Sequence, residues 1–158
     1  MERHIVIVTA LLALAGCASA QPQPQPARLL DPQQYAKALG DKYSAFSWPE
    51  GREPDLSVLA EKSGPGDGKV PEGAERVVLE ITNSCAWYAS WEDARQRGDH
   101  VSVARALKVM AEVLPTFSPE DPDGQRYARE TAAKAKAGDG TQAADYVTAN
   151  CDAVKWSE

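Results

Sequence analysis

The strongest constraint on the fold is a helical spacing of apolar residues between Ala74 and Arg97. Apolar side chains recur there every three or four positions, which places them on one face of an α-helix. The residues of this face are Val77, Val78, Ile81, Cys85, Tyr88 and Trp91. Gly98 and Asp99 follow, and glycine favours the end of a helix whereas aspartate favours the start of the next. The stretch predicts a long amphipathic helix that packs against other elements.

Three further helices are predicted in the last third of the chain. The first follows Gly98 and ends before Pro115, because proline interrupts a helix. The second begins at Asp121 or Asp123, and the third is capped by Asp139 or Thr141. The residues predicted to face inward are Val103, Ala104, Leu107, Met110, Ala111, Leu114, Ala143, Val147 and Val154.

The segment 29–70 predicts short helices and loops instead of a regular bundle. Asp31 before Pro32 is typical of a helix start, and a second short helix is predicted from Pro54. With 71–158 as a helical bundle, residues 29–158 form a single helical domain. The predicted fold class is all-α: a small helical bundle of about four main helices with a less regular N-terminal segment and one disulfide.

The N-terminus has the layout of a secretory signal. The run 5–15 is uncharged, and small residues follow it at once. A transmembrane helix needs about 20 apolar residues, so this run is too short to span a membrane. Its end, Leu14, Ala15, Gly16 and Cys17, resembles the lipobox of bacterial lipoproteins.

The lipobox resemblance implies that residues 1–16 are a lipoprotein signal peptide and that Cys17 receives a diacylglycerol. The protein would then be exported and anchored by lipid to the cell membrane or the outer membrane, facing the periplasm or the exterior. Residues 17–28 would be a Gln/Pro-rich tether, since alternating prolines favour extended polyproline II. The alternative is cleavage after Ala20 by an ordinary signal peptidase, which releases a soluble chain that begins at Gln21.

The cysteines predict a disulfide. Cys17 is lipidated or removed under either processing route, which leaves Cys85 and Cys151 as an even pair in an oxidising compartment. We therefore predict that Cys85 and Cys151 are bonded to each other. Two buried free thiols are the alternative.

The composition and charge of the chain limit the class of partner that it is predicted to bind. The chain is 43% hydrophobic and 25% charged, which is typical of a globular domain. Its formal net charge is −6, and no segment concentrates Lys and Arg. Nucleic acid is therefore excluded as a predicted partner, because phosphate backbones attract basic surfaces.

Few residues suggest specific chemistry. Trp87 and Trp91 lie four positions apart on one predicted helix, where exposed rings could stack on sugars or dock a partner protein. The alternative is that both rings belong to the core. Asp121, Asp123 and Glu130 partly match a calcium-binding EF-hand loop, but Pro119 stands at its first ligand position. Helix capping explains these acids better, so no metal, cofactor or catalytic residue is predicted.

The expected function is that of a non-enzymatic, lipid-anchored envelope protein acting as a binding or accessory module. Its partner beyond the membrane would be an envelope protein or a polysaccharide. Two alternatives remain: a small secreted cell-wall-active hydrolase that uses carboxylates from separate helices, and a soluble secreted scaffold cleaved before Gln21.

Overall fold

The computed structural model describes residues 27–157. The helices of this part are α1 (Pro32–Tyr43), α2 (Leu56–Ser63), α3 (Ala74–Gln96), α4 (His100–Glu112), α5 (Pro122–Lys136) and α6 (Thr141–Asn150). A short 3-10 helix (Leu114–Thr116) follows α4, and the strands β1 (Leu29–Leu30) and β2 (Val70–Pro71) pair antiparallel. Within residues 27–157 no helix is long and apolar enough to cross a membrane.

The mostly helical fold is confirmed, and four of the described helices, α1, α2, α4 and α5, begin at a capping aspartate. Asp31 accepts a hydrogen bond of 2.9 Å from the backbone N–H of Gln34, and the Gln34 side chain accepts one in return. Asp99 and Asp121 cap α4 and α5 in the same way. Each cap satisfies backbone donors that have no partner inside the helix.

Some details of the predicted fold are wrong. The described residues form six α-helices where about four main helices were expected, because the predicted short helix α1 has 12 residues, more than the 10 of α6, and α2 packs against it. The last helix begins after Gly140, which has no capping side chain, although Asp139 accepts a hydrogen bond from the N–H of Thr141. This helix ends at Asn150, so Val154 lies beyond it.

The buried face of α4 is rotated from the predicted one. Ala106 and Met110 are fully buried, and Leu107 is half-buried. Ala104 and Ala111, which the pattern placed inward, are exposed. The small side chains of alanine fit either environment, so an alanine-rich helix defines its buried face poorly.

Helix α3 belongs to two hydrophobic clusters. Its first half packs with α1, α2 and the strand pair; the buried residues there are Leu30, Tyr35, Leu39, Leu59 and Leu79. Its second half packs with α4, α5 and α6; the larger buried residues there are Trp87, Tyr88, Trp91, Met110 and Leu114. The two clusters therefore share helix α3, and the Phe46 and Phe117 rings also meet between them, with centroids 5.7 Å apart.

An ion pair between Lys42 and the buried Glu75 links α1 to the start of α3. The Glu75 side chain is 0% exposed, and it accepts hydrogen bonds from the Lys42 ammonium and the N–H of Gly73. Burial by itself would raise the pKa of the Glu75 carboxyl, but these hydrogen bonds hold the pKa below its usual value. The carboxylate is therefore charged at neutral pH.

The C-terminal segment returns to the N-terminal half. Trp156 forms a β-bridge with Pro54, and the N–H of Ser157 donates to the carbonyl of Glu53 at 2.7 Å. The guanidinium of Arg52 lies over the Trp156 ring, 5.5 Å from its centroid. These contacts tie the chain after α6 to the loop that precedes α2.

Candidate functional site

The apolar face of α3 is not covered along its whole length. Val77 and Ile81 are 43% and 36% exposed, although both belong to the stripe that was predicted to be buried. Helix α6 has 10 residues against 23 in α3, so it covers only part of the longer helix. Val77 and Ile81 therefore form an exposed apolar strip on α3.

This strip forms one wall of a cavity of about 710 Å³ between α3, α5 and α6, which we call the apolar groove. Its volume lies within the range of small-molecule sites, roughly 300–1,000 Å³. The side chains that give it its apolar character are Val77, Ile81, Leu114, Phe117, Ala128 and Ala149. Because the walls come from separate helices, the groove is a feature of the tertiary fold.

Three tyrosines line the groove. The Tyr88 and Tyr146 rings meet edge to face with centroids 5.1 Å apart, and the Tyr127 centroid lies 6.1 Å from that of Tyr146. The Tyr127 hydroxyl donates to the carbonyl of Gln142 at 3.0 Å. Burial raises the pKa of all three phenols, and the Asp145 carboxylate raises that of Tyr127 further. They are therefore neutral at physiological pH.

Glu80 forms hydrogen bonds at one edge of the apolar groove. One carboxylate oxygen accepts from the Arg76 guanidinium at 2.9 Å, and the other accepts from the N–H and the hydroxyl of Ser118 at 3.1 and 2.9 Å. Ser118 has a φ of 46°, a left-handed conformation that is uncommon outside glycine. These hydrogen bonds fix the loop before α5 against α3 and so define the groove's width there.

The rim of the groove is acidic. Asp121, Asp123 and Asp145 line it in addition to Glu80, and of the described lining residues none is Lys or Arg. Glu80 and Asp123 are paired with Arg76 and Arg126. Within residues 27–157, Asp121 and Asp145 form no salt bridge. The groove therefore combines an apolar floor with two carboxylates that have no salt-bridge partner within residues 27–157.

A second cavity, of about 460 Å³, lies on the other side of Glu80 and Phe117. Its charged lining residues are Lys42, Arg76 and Glu80. Lys42 pairs with Glu75 and Arg76 with Glu80, so these charges are already satisfied within the chain. The apolar groove is the stronger candidate site.

The predicted disulfide is confirmed. Cys85 of α3 and Cys151, just after α6, are bonded. The residues that precede them, Ser84 and Asn150, both line the apolar groove. The disulfide therefore fixes the separation of two groove walls.

The prediction of an exposed aromatic surface at Trp87 and Trp91 is wrong, and the core alternative is confirmed. Each side chain is 1% exposed, because α4, α5 and α6 pack over the second half of α3 and these large rings fill that interface. The Trp87 indole donates to the carbonyl of Ser47 at 2.9 Å. Trp91 lies against Gly140, where a Cβ would come within 3.0 Å of its ring.

The remaining sequence candidates are the EF-hand-like acids, of which Asp121 and Asp123 line the groove, and Cys17. The EF-hand likeness fails because Gly124 and Glu130 are in helix α5, which leaves no ligand loop. Across residues 27–157 no three His, Cys, Asp or Glu side chains are grouped so as to hold a metal ion. Cys17 lies outside the described part of the chain.

Sequence reasoning missed the groove itself, since it assigned Val77 and Ile81 to the core. Helix length was the signal that could have indicated it. The predicted apolar stripe on α3 is longer than any one neighbouring helix, so no single helix can cover it. No protein family matches the chain, and neither a curated protein nor a solved structure shows detectable similarity to it.

Proposed function

We propose that this protein is an exported, lipid-anchored envelope protein that acts as a binding module, with the apolar groove as its ligand site. The observation that carries the proposal is the exposed pair Val77 and Ile81 beside the tyrosines of the groove. Exposed apolar surface in a concave site is typical of ligand binding, since its burial by a ligand is favourable. The lipobox-like residues that end at Cys17 support the anchor.

Binding fits the acids of the groove better than hydrolysis does. A cell-wall hydrolase of the alternative kind needs two carboxylates that converge on one bond. Asp121 caps α5, and Asp123 pairs with Arg126 on the same helix, so both contribute to helix structure. We therefore favour a binding role for this rim.

The groove is tested with a neutral fluorescent probe, N-phenyl-1-naphthylamine, whose emission rises in apolar surroundings. We expect the double variant Val77→Asn and Ile81→Asn to bind the probe at least about tenfold more weakly, because two apolar contacts are lost. Both positions are exposed, so the free energy of unfolding should change by less than about 1 kcal/mol.

The matched control is Val101→Asn on α4, because Val101 is 82% exposed and does not line the groove. This variant should bind the probe like the wild type. Equal binding by the wild type and the groove variant would contradict the proposed site.

The anchor is tested by the intact mass of the protein recovered from a bacterial host. We expect a chain that begins at diacylated Cys17, and we expect Cys17→Ala to move the protein from the membrane fraction to the soluble fraction. A wild-type chain that begins at unmodified Gln21 would instead favour the soluble scaffold.

A further inference from the structure

We infer that the ligand of the apolar groove is a small cationic amphiphile, with an apolar body on α3 and a protonated amine at the acidic rim. This inference rests on the proposed binding role and adds the chemical class of the ligand. Its basis is the joint presence, in one groove, of an apolar floor and negative charge that the chain does not balance.

The apolar floor of the groove indicates what the apolar part of the ligand is. Val77 and Ile81 lie one helical turn apart on α3 and present a continuous aliphatic surface, which Ala149 of α6 extends. Polysaccharides bind through dense hydrogen bonding and stacking on exposed rings, whereas of the groove's tyrosines Tyr88 is buried and Tyr127 and Tyr146 are half-buried. A hydrocarbon body is therefore the better fit.

The acidic rim of the groove indicates the charge of the ligand's head group. Asp145 is exposed on α6, and its carboxylate is close enough to Tyr127 to raise that phenol's pKa. Asp121, the N-cap of α5, also lines the groove. The negative potential of these carboxylates attracts an ammonium group to the rim and repels an anionic head group.

Size favours a small molecule as the occupant. A cavity of about 710 Å³ is of the volume that encloses most of a drug-sized ligand. The tyrosine cluster forms part of its wall, and the hydrogen bond of Glu80 to Ser118 joins α3 to the loop before α5 beside it. An eight-carbon alkyl chain is a suitable probe because it stays monomeric in water at millimolar concentration.

The test compares three probes with the same chain and different head groups: octylammonium, octanol and octanoate. Dissociation constants are measured on the full chain from the NMR shifts of groove amides at low ionic strength. We expect octylammonium to bind roughly tenfold more tightly than octanol, and octanoate to bind more weakly than octanol. Added salt should reduce the preference, because the rim acids are exposed.

The rim variant is Asp121→Asn with Asp145→Asn, and asparagine preserves the cap of α5 because it caps helices about as well as aspartate. The matched control is Asp31→Asn with Asp67→Asn, which also removes one helix cap charge and one exposed charge, both outside the groove. We expect the rim variant to lose the roughly tenfold preference for octylammonium and the control variant to keep it.

The outcomes separate this inference from the proposed function. If octanol and octanoate bind as tightly as octylammonium, the groove binds ligands but the cationic class is wrong. If the control variant loses the preference as fully as the rim variant, the net charge of −6 causes it, and the inference also fails. If none of the three probes binds, both the inference and the proposed groove are overturned.

Discussion

Reduction of the Cys85–Cys151 disulfide should lower the free energy of unfolding by about 4 kcal/mol. The bonded cysteines are 66 residues apart, and the loop they close contains most of α3's second half together with α4, α5 and α6. Opening that loop returns conformational entropy to the unfolded chain. The measurement is urea unfolding with and without reductant, with the redox state verified by mass.

The control for the disulfide prediction is the double variant Cys85→Ala and Cys151→Ala, whose unfolding should be insensitive to reductant. We also expect reduction to weaken probe binding in the apolar groove, because Ser84 and Asn150 line it and adjoin the cysteines. An unchanged urea midpoint for fully reduced wild-type protein would show that the bundle is held by packing alone.

Lys42→Met should lower the free energy of unfolding at neutral pH by about 2 kcal/mol. The variant leaves the fully buried Glu75 carboxylate without its cation, which costs more than the lost pair itself. The Lys42 side chain is 40% exposed, so we take a value below the roughly 3–5 kcal/mol given for pairs with both partners buried.

The pH dependence gives this prediction a definite sign. In the wild type the pKa of Glu75 is below its usual value, so its stabilisation is present above about pH 4.3 and is lost as the pH falls through the lowered pKa. In Lys42→Met the lowering by Lys42 is lost, so that pKa rises, because burial is then opposed by the backbone hydrogen bonds of Gly73 and Glu75 alone. The deficit of the variant should therefore be large at neutral pH and shrink in acid, where Glu75 binds a proton.

The matched control is Lys37→Met on the same helix. Lys37 pairs with Asp41, but both side chains are well exposed, so this variant should unfold almost like the wild type at every pH. If the two variants were equally destabilised, loss of lysine from α1 would explain the effect and the buried pair would not.

Local signals predicted the helices well. Asp31, Asp99 and Asp121 cap helices as expected, since a capping aspartate acts within three residues of its own position. The disulfide was also predictable, because only two cysteines remain once Cys17 is assigned to the signal. These features depend on neighbouring residues or on simple counting.

The candidate site depends on contacts between distant residues, which periodicity does not specify. The spacing of Val77 and Ile81 indicates that they share a face with Tyr88, but it does not indicate where a covering helix ends. Likewise, the roles of Glu75 and Glu80 depend on Lys42 and Ser118, 33 and 38 positions away. Buried acids therefore could not be distinguished from surface acids by sequence alone.

The shared position of α3 in both hydrophobic clusters makes unfolding cooperative across the described chain. Loss of either cluster removes one half of the support for the same helix, and the bridge between Trp156 and Pro54 joins the two halves again. Such a structure favours a single transition between folded and unfolded states. By thermodynamic linkage, a ligand held between α3, α5 and α6 would then also protect α1 and α2, which it does not touch.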